Sequence, residues 1–234
     1  MNIVITGASN GIGFELVKIL SSGNDHQVIG IARSGEKLIE LADQTKLNEG
    51  TGRFYPIPFD LTQPDFSKNL VPGMLKIMPR IDILINNAGL LINKPMEMLT
   101  DEDFDQLFEV NVKAPFRLIR DLIDLFAHPS HIVNICSMGG VQGSTKFPGL
   151  ALYSAAKGAL AVLTESLAVE FSEKKIYVNA LALGAVQTEM LGKAFPGYQA
   201  PLKPVEMARF IADFATNGHH FFNGKILPVS LSTP

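Results

Sequence analysis

Tyr153 and Lys157 stand four residues apart at the start of a segment with helical period, so both side chains project from one helix face, a turn apart. A phenol with a pKa of about 10 is a poor base at neutral pH, and an ammonium beside it favours phenolate. The pair reads as an acid/base couple in which Tyr153 exchanges the proton. The bare spacing also fits an ordinary surface pair, so the reading depends on its surroundings.

A second group of residues can hold phosphates. Thr6-Gly7-Ala8-Ser9-Asn10-Gly11-Ile12-Gly13 follows an apolar strand and opens a helix. Glycines let the backbone approach a pyrophosphate, and a helix N-terminus offers N–H groups and a partial positive charge. A plain tight turn is the competing reading, and the strand-first placement argues against it. At the tip of the next strand, Ile29 to Ser34, stand Ala32 and Arg33. A carboxylate there would accept from the adenosine ribose hydroxyls, whereas an Arg pairs with a 2′-phosphate. Arg33 thus favours NADP(H) over NAD(H).

The elements that must position these groups follow from alternation. Short β-branched runs alternate with helical segments, the pattern of βαβ units and a parallel sheet. Strands are expected at Ile3 to Thr6, Gln27 to Ala32, Arg53 to Phe59, Ile81 to Asn86, His131 to Cys136, Ile176 to Leu181 and Lys225 to Val229. Helices are expected at Gly11 to Ser21, Gly35 to Leu47, Tyr153 to Phe171 and Pro204 to Thr216, with two more filling Asp101 to Phe126, divided near Asn111 or Pro115. The expected fold is α/β: a single doubly wound Rossmann domain over residues 1–234, with a central parallel sheet of about seven strands flanked by helices on both faces.

The spacing Gly7-x-x-x-Gly11-x-Gly13, together with Tyr153-x-x-x-Lys157, makes the chain resemble the short-chain dehydrogenase/reductase family from residue 2 to residue 229. The resemblance implies that Tyr153 gives its proton to a carbonyl oxygen as hydride reaches the carbon, and the reverse in oxidation. It implies that Lys157 tunes the phenol and holds the nicotinamide ribose, that Ser137 stabilises charge on the substrate oxygen, and that Asn111 supports a proton-relay water. Taken alone, Ser137 fits a strand-end hydrogen bond and Asn111 a helix-break cap.

The same resemblance assigns the cofactor to Gly7, Ser9, Asn10, Gly11, Ile12, Gly13, Arg33, Ser34, Asp60, Leu61, Asn87, Ala88, Gly89, Tyr153, Lys157, Gly184, Val186 and Thr188. Asp60-Leu61 matches the pair that meets adenine, although Asp60 by itself fits a turn or helix cap. Asn86-Asn87-Ala88-Gly89 matches a family turn that braces the sheet as well as meeting the cofactor. Leu183 stands where the family usually has proline, and the C-terminal tail Leu227 to Pro234 lacks the family's usual Asp-Gly-Gly. The stretch between Ser137 and Tyr153 is longer than usual, either as an enlarged loop or as a means of bringing Ser144 or Thr145 to the substrate.

A short lid, Glu189 to Leu202, carries Met190, Leu191, Phe195, Pro196, Tyr198 and Pro201, residues of the kind that line small-molecule pockets or pack a lid down. A small, moderately apolar carbonyl compound is the expected substrate. Met96 and Met98 read as core or lid packing, and His219 and His220 as loop residues, with no metal expected. The 20 Lys+Arg against 23 Asp+Glu form no basic run, which speaks against nucleic acid. The single Cys136 permits no internal disulfide and suits a reducing compartment. MNIVITG leaves no room for a signal peptide, and no apolar run reaches the roughly 18 residues of a membrane span, so a cytoplasmic protein without a membrane partner is expected. The resemblance implies a homodimer or homotetramer built on the two long helices. A non-catalytic dinucleotide sensor or scaffold of the same fold is the alternative, and it would be expected to have lost Tyr153 or Lys157.

Overall fold

The computed structural model describes residues 1–22, 25–46 and 53–231. Leu47, the expected end of the second helix, and the tail residues Ser232, Thr233 and Pro234 lie outside the described residues. The chain begins with β1 (Asn2–Thr6), α1 (Gly11–Ser21), β2 (Gln27–Ala32), α2 (Gly35–Lys46) and β3 (Arg53–Pro58). Two short helices, α3 (Phe66–Asn69) and α4 (Val71–Leu75), lead to β4 (Ile81–Asn86). Next come α5 (Asp101–Phe108), a π-helical turn at Glu109–Lys113, α6 (Ala114–Asp121) and β5 (Phe126–Ser137). The long helix α7 (Ala151–Glu170), β6 (Ile176–Leu183), α8 (Glu189–Ala194), α9 (Pro204–Asn217) and β7 (Ile226–Val229) complete the order.

The strands form one parallel sheet in the order β3-β2-β1-β4-β5-β6-β7. Strand order reverses between β1 and β4, and ligands of open α/β sheets bind in the crevice beyond the carboxyl ends at such a point. Helices cover both faces, so the strands read as continuous apolar runs divided by their period of two. Ile3, Ile5, Ile83 and Ile85 pack with Leu16 of α1 and Ile211 of α9. Val4 and Leu84 pack on the other face with Phe66, Met74 and Leu118. β3 is an edge strand, which is where Pro56 and Pro58 can lie without breaking a ladder.

Three regions differ from the sequence expectation. β5 starts at Phe126 rather than His131, because Phe126 pairs with Ile81 and is buried with Ala127. The preceding helix therefore stops at Asp121. β6 runs on to Leu183, which pairs with Ser137 on one side and Val229 on the other. A proline at 183 would lack the N–H that a strand needs, and leucine continues the strand. Finally, α3, α4 and α8 are too short for hydrophobic periodicity to reveal them.

Candidate active site

The glycine loop is bound tightly to its neighbours at the switch point. Gly7 N–H donates to Ile31 O at 2.8 Å, at the end of β2. Thr6 Oγ1 accepts from the backbone N–H groups of Asn87 and Ala88 at 3.1 and 3.0 Å. The Asn87 side-chain amide donates to Thr6 O at 3.0 Å and Gly7 O at 3.3 Å. Asn87 thus reaches the glycine loop itself. Only glycine fits at two positions here: a Cβ on Gly13 would lie 2.2 Å from Gly7 O, and one on Gly7, at φ +69°, would lie 2.8 Å from Ala88 Cα. Asn10 precedes α1 with extended backbone and makes no side-chain cap, which leaves the N–H groups of the first turn to other acceptors. These are the features a pyrophosphate requires, so the residues present fit a dinucleotide.

Around that cradle, Arg33 is exposed at the tip of β2, and Ser34 Oγ accepts from Lys37 N–H at 3.4 Å. Asp60 Oδ1 accepts from Thr62 N–H at 3.0 Å and from the Thr62 hydroxyl at 2.9 Å, a local turn, while Leu61 is buried. Gly184 N–H donates to Val229 O at 2.9 Å, Val186 is buried, and Thr188 Oγ1 caps α8 by accepting from Leu191 N–H at 3.2 Å. A Cβ on Gly11 would lie 3.3 Å from the Thr188 methyl, so the segment after β6 lies against the glycine loop.

The four expected catalytic residues reach the same end of the sheet from three elements. Tyr153 and Lys157 lie in the first two turns of α7. Lys157 is 4% exposed, its ammonium donates to Ile135 O at 2.8 Å, and it stands 5.9 Å from the Tyr153 ring centre. Asn111 sits in the π-helical turn with its side chain fully buried. Its amide donates to Leu90 O at 2.8 Å and Leu107 O at 2.9 Å, and its Oδ1 accepts from Leu90 N–H at 3.2 Å. A Cβ on Gly89 would lie 3.1 Å from Asn111 Oδ1 and 3.5 Å from Lys157 Nζ, so these two polar groups bound one small space. Ser137, at the end of β5, accepts from Gly139 N–H at 3.3 Å.

Burial dominates the electrostatics. It pushes the Tyr153 phenol up to about 12; the adjacent Cys136 adds to the rise and the Ser137 hydroxyl opposes it. The expectation that Lys157 lowers this phenol is not met here: the ammonium donates to Ile135 O, and desolvation prevails. Burial also moves Lys157 below the ordinary lysine range, with Cys136 acting against that shift. The buried Cys136 thiol is raised to about 11 by desolvation, so it is an inert small hydrophobe.

A buried chain of amides that sequence reasoning missed fixes α7 over the sheet. Asn86 Nδ2 donates to Asn134 Oδ1 at 2.8 Å, Asn134 Nδ2 donates to Thr164 Oγ1 at 2.9 Å, and Thr164 Oγ1 donates to Leu160 O at 2.8 Å. Its signal is two asparagines inside otherwise apolar strands, Asn86 and Asn134, since buried amides need partners.

In the long loop before Tyr153, Ser144 is engaged by its own loop and Thr145 is open to solvent. Ser144 Oγ lies 2.5 Å from Met138 O and 2.9 Å from Val141 O, and it accepts from Lys146 Nζ at 2.7 Å. The loop ends at Gly149, whose carbonyl accepts from Lys94 N–H at 3.1 Å, while Asn93 Nδ2 donates to Ala194 O of α8 at 2.8 Å. Met96 and Met98 are 69% and 63% exposed, so they pack neither core nor lid. His219 and His220 follow α9, and the His219 ring lies against His131 and Tyr177. Among the described residues no group of three or more His, Cys, Asp or Glu is arranged to hold a metal ion. Among them, too, no helix is long and apolar enough to cross a membrane.

A family model described as short chain dehydrogenase matches residues 1–199. The chain belongs to the short-chain dehydrogenase/reductase family. It is an oxidoreductase of that class, with a fold that binds a nicotinamide dinucleotide. Among curated relatives, a 3-oxoacyl-(acyl-carrier-protein) reductase FabG of Rickettsia felis is 34% identical, over 97% of this chain and 94% of that protein. A cyclopentanol dehydrogenase of Comamonas testosteroni is 28% identical over 97% of this chain and 94% of its own length. Among solved structures, a 3-ketoacyl-(acyl-carrier-protein) reductase from Brucella melitensis complexed with NADH superposes with a TM-score of 0.84 at 25% identity, covering 98% of this chain and 96% of that one.

Proposed function

We propose that this enzyme interconverts the carbonyl and alcohol forms of a small, moderately apolar substrate with NADP(H) as its hydride partner. The observation that carries the reading is the convergence of Asn111, Ser137, Tyr153 and Lys157 on the end of the sheet that holds the glycine loop. When bound, the nicotinamide supplies or takes the hydride. With its pKa raised to about 12, Tyr153 is protonated at neutral pH and serves as the acid that protonates the nascent alkoxide oxygen. Ser137 donates to the same oxygen and stabilises its developing charge. Lys157 holds the nicotinamide ribose, and the space bounded by Asn111 Oδ1 and Lys157 Nζ takes the relay water.

The glycine loop, Asp60, Leu61, Asn87, Ala88, Gly89, Gly184, Val186 and Thr188 hold the dinucleotide. Exposed Arg33, with no carboxylate at position 32, supports the phosphorylated form. Met190 and Tyr198 remain part-exposed in the lid, and Leu191 and Phe195 lie beside them, which supports an apolar substrate. Exposed Phe104 on α5 with Val162 and Val169 on α7 supports association into a homodimer or homotetramer. The lone reduced Cys136 suits the cytoplasm.

The test is a titration with NADPH and NADH followed by nicotinamide fluorescence, then turnover against a panel of ketones and aldehydes. Tighter NADPH binding with oxidation by a panel member is expected. Equal or tighter NADH binding would overturn the cofactor assignment, and binding without turnover would favour a dinucleotide sensor.

A further inference from the structure

The phosphate expected at Arg33 is a dianion, and one guanidinium does not neutralise it. A second cation stands close to the same cradle. Lys37 lies in the first turn of α2, four residues after Arg33 in the chain, and its ammonium donates to Asn10 Oδ1 at 2.8 Å across to the glycine loop. Other lysines at this end and on α2 hold carboxylates: Lys193 pairs with Glu189 at 2.6 Å and Lys46 with Asp43 at 3.0 Å. Among the described residues Lys37 has no carboxylate within 4.0 Å. A neutral amide therefore holds this charge in place without cancelling it. Its field still reaches Glu189, whose carboxyl is lowered first by Lys193 and then by Lys37.

Asn10 is the other half of the arrangement. Asparagine before a helix usually turns its side-chain oxygen onto the first-turn N–H groups. Here that oxygen accepts from Lys37, and the first turn of α1 keeps its donors.

We infer that Lys37 is the second cation of a 2′-phosphate subsite shared with Arg33, and that Asn10 is the positioning residue that holds it there. This rests on the NADP(H) reading above.

The experiment is calorimetric titration of the protein and its Lys37→Gln, Lys37→Arg, Asn10→Ala and Arg33→Gln variants with 2′,5′-ADP and with 5′-AMP. Neither probe contains a nicotinamide, so turnover plays no part. Lys37→Gln is expected to weaken 2′,5′-ADP about tenfold or more, the size of one charge-assisted hydrogen bond, and to leave 5′-AMP within about twofold. Lys37→Arg is expected to retain 2′,5′-ADP binding, and Asn10→Ala to weaken it by less than Lys37→Gln does. Lys37→Gln binding 2′,5′-ADP as the unmodified protein does, while Arg33→Gln fails, would overturn this inference and leave the NADP(H) reading standing. An unmodified protein that binds 2′,5′-ADP no more tightly than 5′-AMP would overturn both.

Discussion

Lys157 holds its ammonium 5.9 Å from the centre of the Tyr153 ring and donates to the Ile135 carbonyl oxygen at 2.8 Å. The two side chains of the proposed catalytic pair are thus held close together, and burial favours the protonated phenol. Both charged forms are disfavoured by burial, which raises Tyr153 and lowers Lys157. An enzyme that keeps a lysine 4% exposed holds stability in reserve for function.

Lys157→Met should separate those two properties. Methionine fills similar space without a buried charge, so with no cofactor added the variant is expected to gain about 1 kcal/mol, a rise of roughly 2–4 °C in melting temperature for a chain of this size. Turnover should fall by about 100-fold or more. Differential scanning calorimetry beside a rate assay checks both, and a lower melting temperature would contradict the energetic reading.

Asn134→Ala should be costly to the fold, because it leaves the Asn86 amide and the Thr164 hydroxyl buried without their partner. We expect a loss of about 2–4 kcal/mol. Urea denaturation measures it. A loss below about 1 kcal/mol would mean that the chain of amides does not fix α7.

His131 predicts an acid-sensitive fold. Its ring is 1% exposed, Nδ1 faces Ala215 O at 2.9 Å and Nε2 faces Asn179 Nδ2 at 3.0 Å, an arrangement that needs a neutral ring with the proton on Nδ1. Desolvation lowers its pKa from 6.5 to about 4. The unfolded chain binds a proton between those values and the folded one does not, so stability is lost as pH falls from 6.5 to 4. The full effect is about 3 kcal/mol. Denaturation midpoints from pH 7 to pH 4 should fall more steeply for the unmodified protein than for His131→Phe; parallel curves would refute this.

Much of the nucleotide-binding half was legible because its elements are local. A strand, a glycine turn and a helix follow one another from Asn2 to Ser21, and periodicity and glycine spacing both show them. The place of Arg33 at the tip of β2 was legible for the same reason. Lys37 was not singled out, although its place four residues after Arg33 was visible, because the role inferred for it depends on a hydrogen bond to a residue 27 positions away. The segment up to Phe126 was read as helix, whereas Ile123–Leu125 forms a 3-10 turn and the long-range pairing of Phe126 with Ile81 starts the strand. The direction of the Tyr153 shift was misjudged because spacing reveals the neighbouring ammonium but not the burial of both groups.

Single-turnover carbonyl reduction by Tyr153→Phe, with cofactor affinity measured on the same sample, tests the acid/base assignment most directly. The expected result is a loss of about 10³-fold in the hydride-transfer rate with cofactor binding within about twofold of the unmodified protein. A rate near that of the unmodified enzyme would contradict the assignment of Tyr153 as the proton donor.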